Sequence, residues 1–248
     1  MSQQRTLILD IETSPLLVYV WGIRDQYIGV EQIHTDWHIM AWGAKWLGEK
    51  EIHYYDMRGK AGGNDKPILE PLWKLLNEAD IVITQNGKAF DSKKINARFI
   101  LNGMKRPKPY RHFDTYLLAR NVASFTSNKL EYLTAKLCKK YTKLTHPKYK
   151  GLRLWLECLK GNRAAWNEMK VYNIGDVLST EELYTMLRAW APDSFPQVYV
   201  LTDAAFKCGT CPYRGAMIEG KLRRTNKKAY RQHSCPKCGA WQKGERVQ

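Results

Sequence analysis

The stretch Thr6-Leu7-Ile8-Leu9-Asp10-Ile11-Glu12-Thr13-Ser14-Pro15 constrains this chain more than any other. An apolar run of strand length carries two acids two residues apart, then stops at a Thr-Ser-Pro turn. Alternation along a strand sends Asp10 and Glu12 to one face and Leu9 and Ile11 to the other. Two carboxylates on one face of a buried strand repel each other and are costly to strip of water. A hard divalent cation such as Mg²⁺, which prefers oxygen ligands, offsets that cost. A strand end open to solvent would do so equally, and these two acids alone leave the choice open.

The 248 residues suffice for one core-bearing domain plus a small module. A hydrophobic fraction of 44%, with nine Trp and fourteen Tyr, fits a globular chain rather than a disordered one. No apolar run approaches the ~20 residues that span a bilayer, and the polar start Met1-Ser2-Gln3-Gln4-Arg5 does not read as a signal peptide. The expectation is a cytoplasmic protein without membrane contact. The formal charge is +16 and is unevenly spread. Residues 204–248 hold eleven Lys/Arg against Glu219 and Glu245, or +9, which leaves +7 for residues 1–203. Such an excess favours a polyanionic partner, above all nucleic acid.

Patterning predicts strands at 6–13, 16–21, 38–47 and 51–55, with an irregular excursion over 22–37 and a glycine-rich loop over 58–66. A helix starts at Pro67 and tolerates the early Pro71. A β-branched strand, 81–84, ends at Gln85-Asn86-Gly87, and a helix over 91–101 closes at Asn102-Gly103. A short strand over 111–113 leads into a helix at Asp114, which reads as its cap, and 129–140 forms another helix. Residues 163–190 read as one long helix, broken near Gly175. The expected fold is α/β with a mixed central sheet flanked by helices over residues 1–192. The Pro-rich stretch 191–196 marks a boundary, giving a linker over 193–203 and a cysteine module over 204–248.

Asp91 sits where a strand hands over to a helix, and it either caps that helix or joins Asp10 and Glu12 across neighbouring strands. Tyr172 and Asp176 are four apart on a helix and share one face, beside a packed stripe of Val177, Leu178, Leu183 and Leu187. Asp-x-Glu on the first strand, Asn-Gly-x-x-Phe-Asp at a strand-to-helix junction and Tyr-x-x-x-Asp on a late helix together resemble the three motifs of the DEDD 3′–5′ exonucleases. These have a ribonuclease H-like fold and include the proofreading domains of DNA polymerases. The resemblance covers residues 6 to 190. A sister subclass carries His one position before the Tyr; Val171 stands there, and the tyrosine (DEDDy) subclass fits.

The resemblance implies that Asp10, Glu12 and Asp176 hold one Mg²⁺ or Mn²⁺, that Asp10 bridges to a second ion and that Asp91 completes the site. Tyr172 would orient the attacking water. Thr13 and Ser14 would meet the 3′ nucleotide, and Asn86 and Phe90 would line the strand's path. Residues 136–153 add seven Lys/Arg and no acid, with Tyr141, His146 and Tyr149 interleaved. Backbone phosphates and base stacking call for that mixture, so Lys139, Lys140 and Tyr141 are read as nucleic-acid contacts. The implied activity is metal-dependent 3′–5′ hydrolysis of single-stranded DNA or frayed duplex ends, and also of RNA, in partnership with a separate polymerase or replication protein. A catalytically idle nucleic-acid-binding protein of the same fold is the alternative.

Cys208, Cys211, Cys235 and Cys238 form two Cys-x-x-Cys pairs twenty-three residues apart, the spacing of a Cys₄ zinc ribbon. Four thiolates leave no open position for water, so this Zn²⁺ would be structural. Lys221, Arg223, Arg224, Lys227, Lys228 and Arg231 lie between the pairs, with Tyr230 among them and Trp241 beyond, which suits a nucleic-acid grip or a protein-docking surface. Cys138 and Cys158 stand apart in apolar, helix-like contexts and read as buried thiols.

Overall fold

The computed structural model describes residues 4–60, 63–144, 146, 148–192, 194–196, 208–211, 213–224 and 229–246. Most of the 193–203 linker, together with Lys227 and Lys228, lies outside the described residues, and of Lys221, Arg223 and Arg224 only the backbone is described.

The central sheet follows the alternation read from the sequence. Strand β1 (Thr6–Thr13) lies between β4 (Ile39–Trp46) and β6 (Ile81–Thr84), with β5 (His53–Asp56) and β7 (Arg111–Asp114) at the edges. The β5-β4-β1 half is antiparallel and the β1-β6-β7 half parallel, so the sheet is mixed. Leu7, Leu9 and Ile11 enter one core together with Leu72 and Leu76 of α1 (Lys66–Glu78) and Ile95 and Phe99 of α2 (Asp91–Leu101). Ile8, on the opposite face, enters a second core with Ile83, Phe113 and side chains of α3 (Thr115–Val122), α4 (Leu130–Leu137) and α6 (Arg163–Leu187). The short helix α5 (Arg153–Leu159) packs on α6. Asp10 and Glu12 continue the Ile8 face and meet α6, which crosses β1 and β4.

Three expectations need correction. Residues 16–21 do not make a full strand; only β2 (Leu17–Val18) pairs, and it pairs with β3 (Ile33–Thr35) inside the excursion that patterning left irregular. The tip between them exposes Trp21, Ile23 and Tyr27, so its apolar residues have no core to enter. The long helix does not break at Gly175: α6 runs unbroken from Arg163 to Leu187. Gly175 serves close packing instead, because a Cβ there would lie 2.6 Å from Leu144 Cδ1. Finally, Phe195, inside the expected linker, packs edge-on against Phe113 at 5.5 Å and belongs to the second core.

The cysteine module is a three-stranded antiparallel sheet in the order β10-β9-β8, with β8 at Ile218–Arg224, β9 at Ala229–Ser234 and β10 at Trp241–Arg246. Among the described residues no helix is long and apolar enough to cross a membrane.

Candidate active site and cysteine centre

Strand β6 pairs with β1 only over Thr6–Ile8, so β1 runs on beyond its parallel neighbour. The Ile11 amide, past the last residue paired with β6, would be an orphan donor on that side. Asp91 Oδ1 accepts it at 3.2 Å. Asp91 is therefore not the cap of α2, where Phe90 stands; it is the first helical residue, turned back onto β1. The preceding loop is shaped for this. Asn86 adopts φ +62, which Asn tolerates better than most residues, and Asp114 accepts the Asn86 and Lys88 amides while capping α3. A Cβ on Gly87 would lie 2.3 Å from Thr84 Oγ1 and 2.8 Å from Asp91 Oδ2. Gly87→Ala should therefore displace Asp91 while leaving the sheet intact, lowering stability by about 1–3 kcal/mol in thermal unfolding with little change in the far-UV dichroism.

One carboxylate oxygen from each of Asp10, Glu12 and Asp176 lies within 4.8 Å of the other two. Asp91 stands beside this trio rather than within it, close enough to raise the pKa values of Asp10 and Glu12. Loss of water and mutual repulsion dominate the electrostatics. Burial, then Asp176, pushes Glu12 up to about 8; burial pushes Asp91 up to about 7 against its two backbone hydrogen bonds. Asp10 is raised by the same desolvation and by all three neighbouring acids, and Asp176 by burial against the pull of Lys143.

Two groups that patterning did not single out hold the cluster. Asn173, fully buried on α6, donates Nδ2 to Asp10 Oδ2 at 2.7 Å. Gly43 makes room for it, since a Cβ there would lie 2.5 Å from Asn173 Oδ1. The signal was available: Asn173 precedes Asp176 by three and so shares its helix face. Lys143 donates Nζ to Asp176 Oδ2 at 2.6 Å, and although burial works against it, Asp176 holds the ammonium above its usual range. Nothing local marks this lysine among the seven of its basic segment.

That segment is lashed to α6. The amides of Lys139, Lys140 and Tyr141 all donate to the Glu182 carboxylate, so their backbones anchor the arm while the Lys139 and Lys140 side chains remain exposed. His146 meets Tyr172 edge-on at 5.2 Å, and Trp155 of α5 stands 6.2 Å from the same ring. Burial and the Asp176 charge push the Tyr172 hydroxyl up to about 12, so it stays protonated at neutral pH. Phe90 and Asn86 are both exposed. Thr13 lies at a bulge ending β1. Ser14 is committed elsewhere: its hydroxyl bonds the His38 amide at 2.9 Å and the His38 ring at 3.1 Å, which closes the base of the excursion. Two adjoining hollows form a groove beside the carboxylate cluster, reaching it through Tyr172 and Lys143. One, of about 530 Å³, is lined by residues including Tyr172, His146 and Lys150, and the other, of about 430 Å³, by residues including Asn86, Tyr116 and Lys129. Lys143 and Glu131 line both.

Removing Lys143 takes from Asp176 the ammonium that pairs with it. In buffer without divalent ions, Lys143→Met should cost about 3 kcal/mol of stability at neutral pH, with Mn²⁺ restoring most of it; the check is thermal unfolding with and without the ion.

A family model of the RNase H superfamily matches residues 7–188. The chain belongs to the RNase H superfamily. RNase H-like proteins are generally nucleases that use divalent metals, and the acidic cluster suits that chemistry. The RNase H-like domain is also similar to the family B DNA polymerase from the hyperthermophilic archaeon Pyrobaculum calidifontis, at 14% identity and a TM-score of 0.55. The match covers 80% of this chain and 27% of that one, so the chain corresponds to about a quarter of the polymerase's length. No curated protein matches the chain at a significant level.

The four module cysteines converge as well. Cys208 Sγ lies 3.8 Å from Cys238 Sγ, and Cys211 Sγ lies 3.7 Å from Cys235 Sγ. Four sulfurs at ~2.3 Å around one Zn²⁺ in a tetrahedron would stand ~3.8 Å apart, so the set fits that ion. Burial raises the Cys211 and Cys238 thiols, while the amides of Cys238 and Lys237 bring Cys235 down to about 7 against its burial; a bound Zn²⁺ would hold all four as thiolates.

Proposed function

We propose that the chain is a metal-dependent 3′–5′ exonuclease of the tyrosine DEDD type, acting on single-stranded DNA or frayed duplex ends and also on RNA. The observation that carries the reading is the convergence of Asp10, Glu12 and Asp176 from one strand and one helix, with Asp91 alongside. A divalent ion fits the trio for a reason visible in it: among the described residues Asp176 Oδ1 is buried without a hydrogen-bond partner, an acceptor short of a cation. Asp10, Glu12 and Asp176 would hold one Mg²⁺ or Mn²⁺, with Asp10 shared with a second ion and Asp91 completing that site. When bound, such ions stabilise the attacking and leaving oxygens at phosphorus.

The chain's own groups do the rest. Asn173 fixes the Asp10 carboxylate, and Trp155 steadies Glu12. Tyr172, beside Asp176 and protonated, orients the incoming water. Lys143 lines the groove on both sides and presents its ammonium where a backbone phosphate would pass. Residues 1–192 form the exonuclease domain, extended by Phe195, and residues 204–248 a zinc ribbon that grips the substrate. A separate polymerase or replication protein is the setting proposed for this activity.

The test is polarity. With Mg²⁺ or Mn²⁺, the full chain should shorten a 5′-labelled single strand stepwise from its 3′ end and leave a covalently closed circle of the same sequence intact. The same preparation should contain one zinc per chain. Cleavage of the circle, or shortening from the 5′ end, would sink the exonuclease reading, and binding without metal-dependent cleavage would favour the idle alternative. Matched RNA strands report the sugar preference.

A further inference from the structure

Trp241 opens strand β10 and pairs with Ser234 of β9, which in turn pairs with Ile218 of β8, so the three share one face of the ribbon sheet. Glycine inside a strand weakens it and marks the close approach of another group. Gly220 is such a glycine: a Cβ there would lie 2.2 Å from Trp241 Cζ3 and 2.9 Å from Cη2. The indole is therefore laid down against the β8 backbone with its inner side on glycine. It nonetheless remains 58% exposed, and Ile218 in the same row is 55% exposed. A large aromatic held against a sheet, with its outer side in water, is not being used to build a core.

The opposite face behaves differently. His233 and Gln242 form the next cross-strand pair, so alternation turns them away from Trp241. Gln242 accepts the Gly209 amide at 3.0 Å and ties β10 to the first cysteine knuckle. The His233 ring fills the space over Gly244, where a Cβ would meet it at 2.5 Å. One face of the sheet is thus engaged internally, and the other presents an indole.

We infer that Trp241, seated on Gly220, is a stacking platform for an unpaired base of a single-stranded nucleic acid. The occupant follows from charge. Residues 204–248 carry +9, and four thiolates around one Zn²⁺ would still leave +7. An exposed flat ring in a segment this rich in lysine and arginine is the combination that single-strand binding uses: cations for the phosphates, a π-face for the base. Protein-docking surfaces are depleted in lysine, whereas this segment is rich in it. The platform deepens the grip assigned to the ribbon and rests on the nucleic-acid reading of the whole chain.

The experiment uses the full chain carrying Asp10→Ala, which binds without cutting, and a 5′-fluorescein oligo-dT strand read by anisotropy. Trp241→Ala should weaken binding about tenfold, while Trp241→Phe recovers most of it. A strand of abasic sites, with the same phosphates and no bases, should bind the parent and Trp241→Ala equally. Zinc content per chain, unchanged in both variants, separates loss of the platform from loss of the module. Equal oligo-dT affinity for parent and Trp241→Ala overturns the platform and assigns the indole to a protein contact. A parent that binds neither strand overturns the nucleic-acid reading itself, and the platform with it.

Discussion

Asp10→Asn should abolish metal-dependent cleavage, by about 10³-fold or more, and at the same time make the metal-free protein more stable. The two effects share one cause. Asp10 lies among Asp176, Glu12 and Asp91, all of which raise its pKa and outweigh the pull of Lys143, so its charge opposes the fold whenever no divalent ion is bound. The amide removes that charge and can still accept the Asn173 bond through its oxygen. A gain of about 1 kcal/mol, or roughly 2–4 °C in Tm, is expected for a chain of this size at neutral pH without divalent ions. Thermal unfolding with and without Mn²⁺ checks it: the ion should stabilise the parent strongly and the variant weakly. A variant that loses activity and stability together would mean that Asp10 is a structural carboxylate, and the active-site assignment would fall.

The second large effect is the pH dependence of stability. Glu12 and Asp91 are raised in the folded protein, to about 8 and about 7, above ordinary carboxylate values. Between pH 4.5 and 8 the folded chain therefore holds protons that the unfolded chain has released. Stability without divalent ions is greatest below the unfolded pKa and declines as pH rises through the folded values, by about 1.4 kcal/mol per pH unit for each extra proton held. Paired carboxylates in ordinary proteins give the opposite slope. Divalent ions, which bind the deprotonated form, should flatten the decline, and their apparent affinity should increase over the same window. Urea titrations at pH 5, 6.5 and 8, with and without Mn²⁺, measure both slopes. Metal-free stability that increases toward pH 8 would contradict the cluster's electrostatics.

What could be read in advance was local. Strand β1 announces itself by an apolar run, and alternation alone places its two acids on one face. Helix α2 begins and ends where its sequence signals stand, with Gly103 at φ +64 just beyond its last turn. Gly175 misled because low helix propensity is a local property, whereas its purpose, admitting Leu144, is a contact between segments. Lys143 was hidden for the same reason: its partner lies thirty-three positions away. Ser14 looked available because a turn serine often is, and only the fold brings His38 against it.

The path of the basic arm carries one more consequence. Glu182 fastens residues 139–141, Asp176 takes Lys143, and Gly175 receives Leu144, so the arm descends α6 against the helix direction. Between the first and second attachments lies about 9 Å of helix, at ~1.5 Å per residue. The short piece of chain joining them acts as a ruler, and its length, more than its composition, sets where the ammonium ends. Substitutions at exposed positions there should be absorbed, while a single inserted or deleted residue would shift every downstream attachment out of step. In related chains, residue number across this interval should accordingly vary less than residue identity.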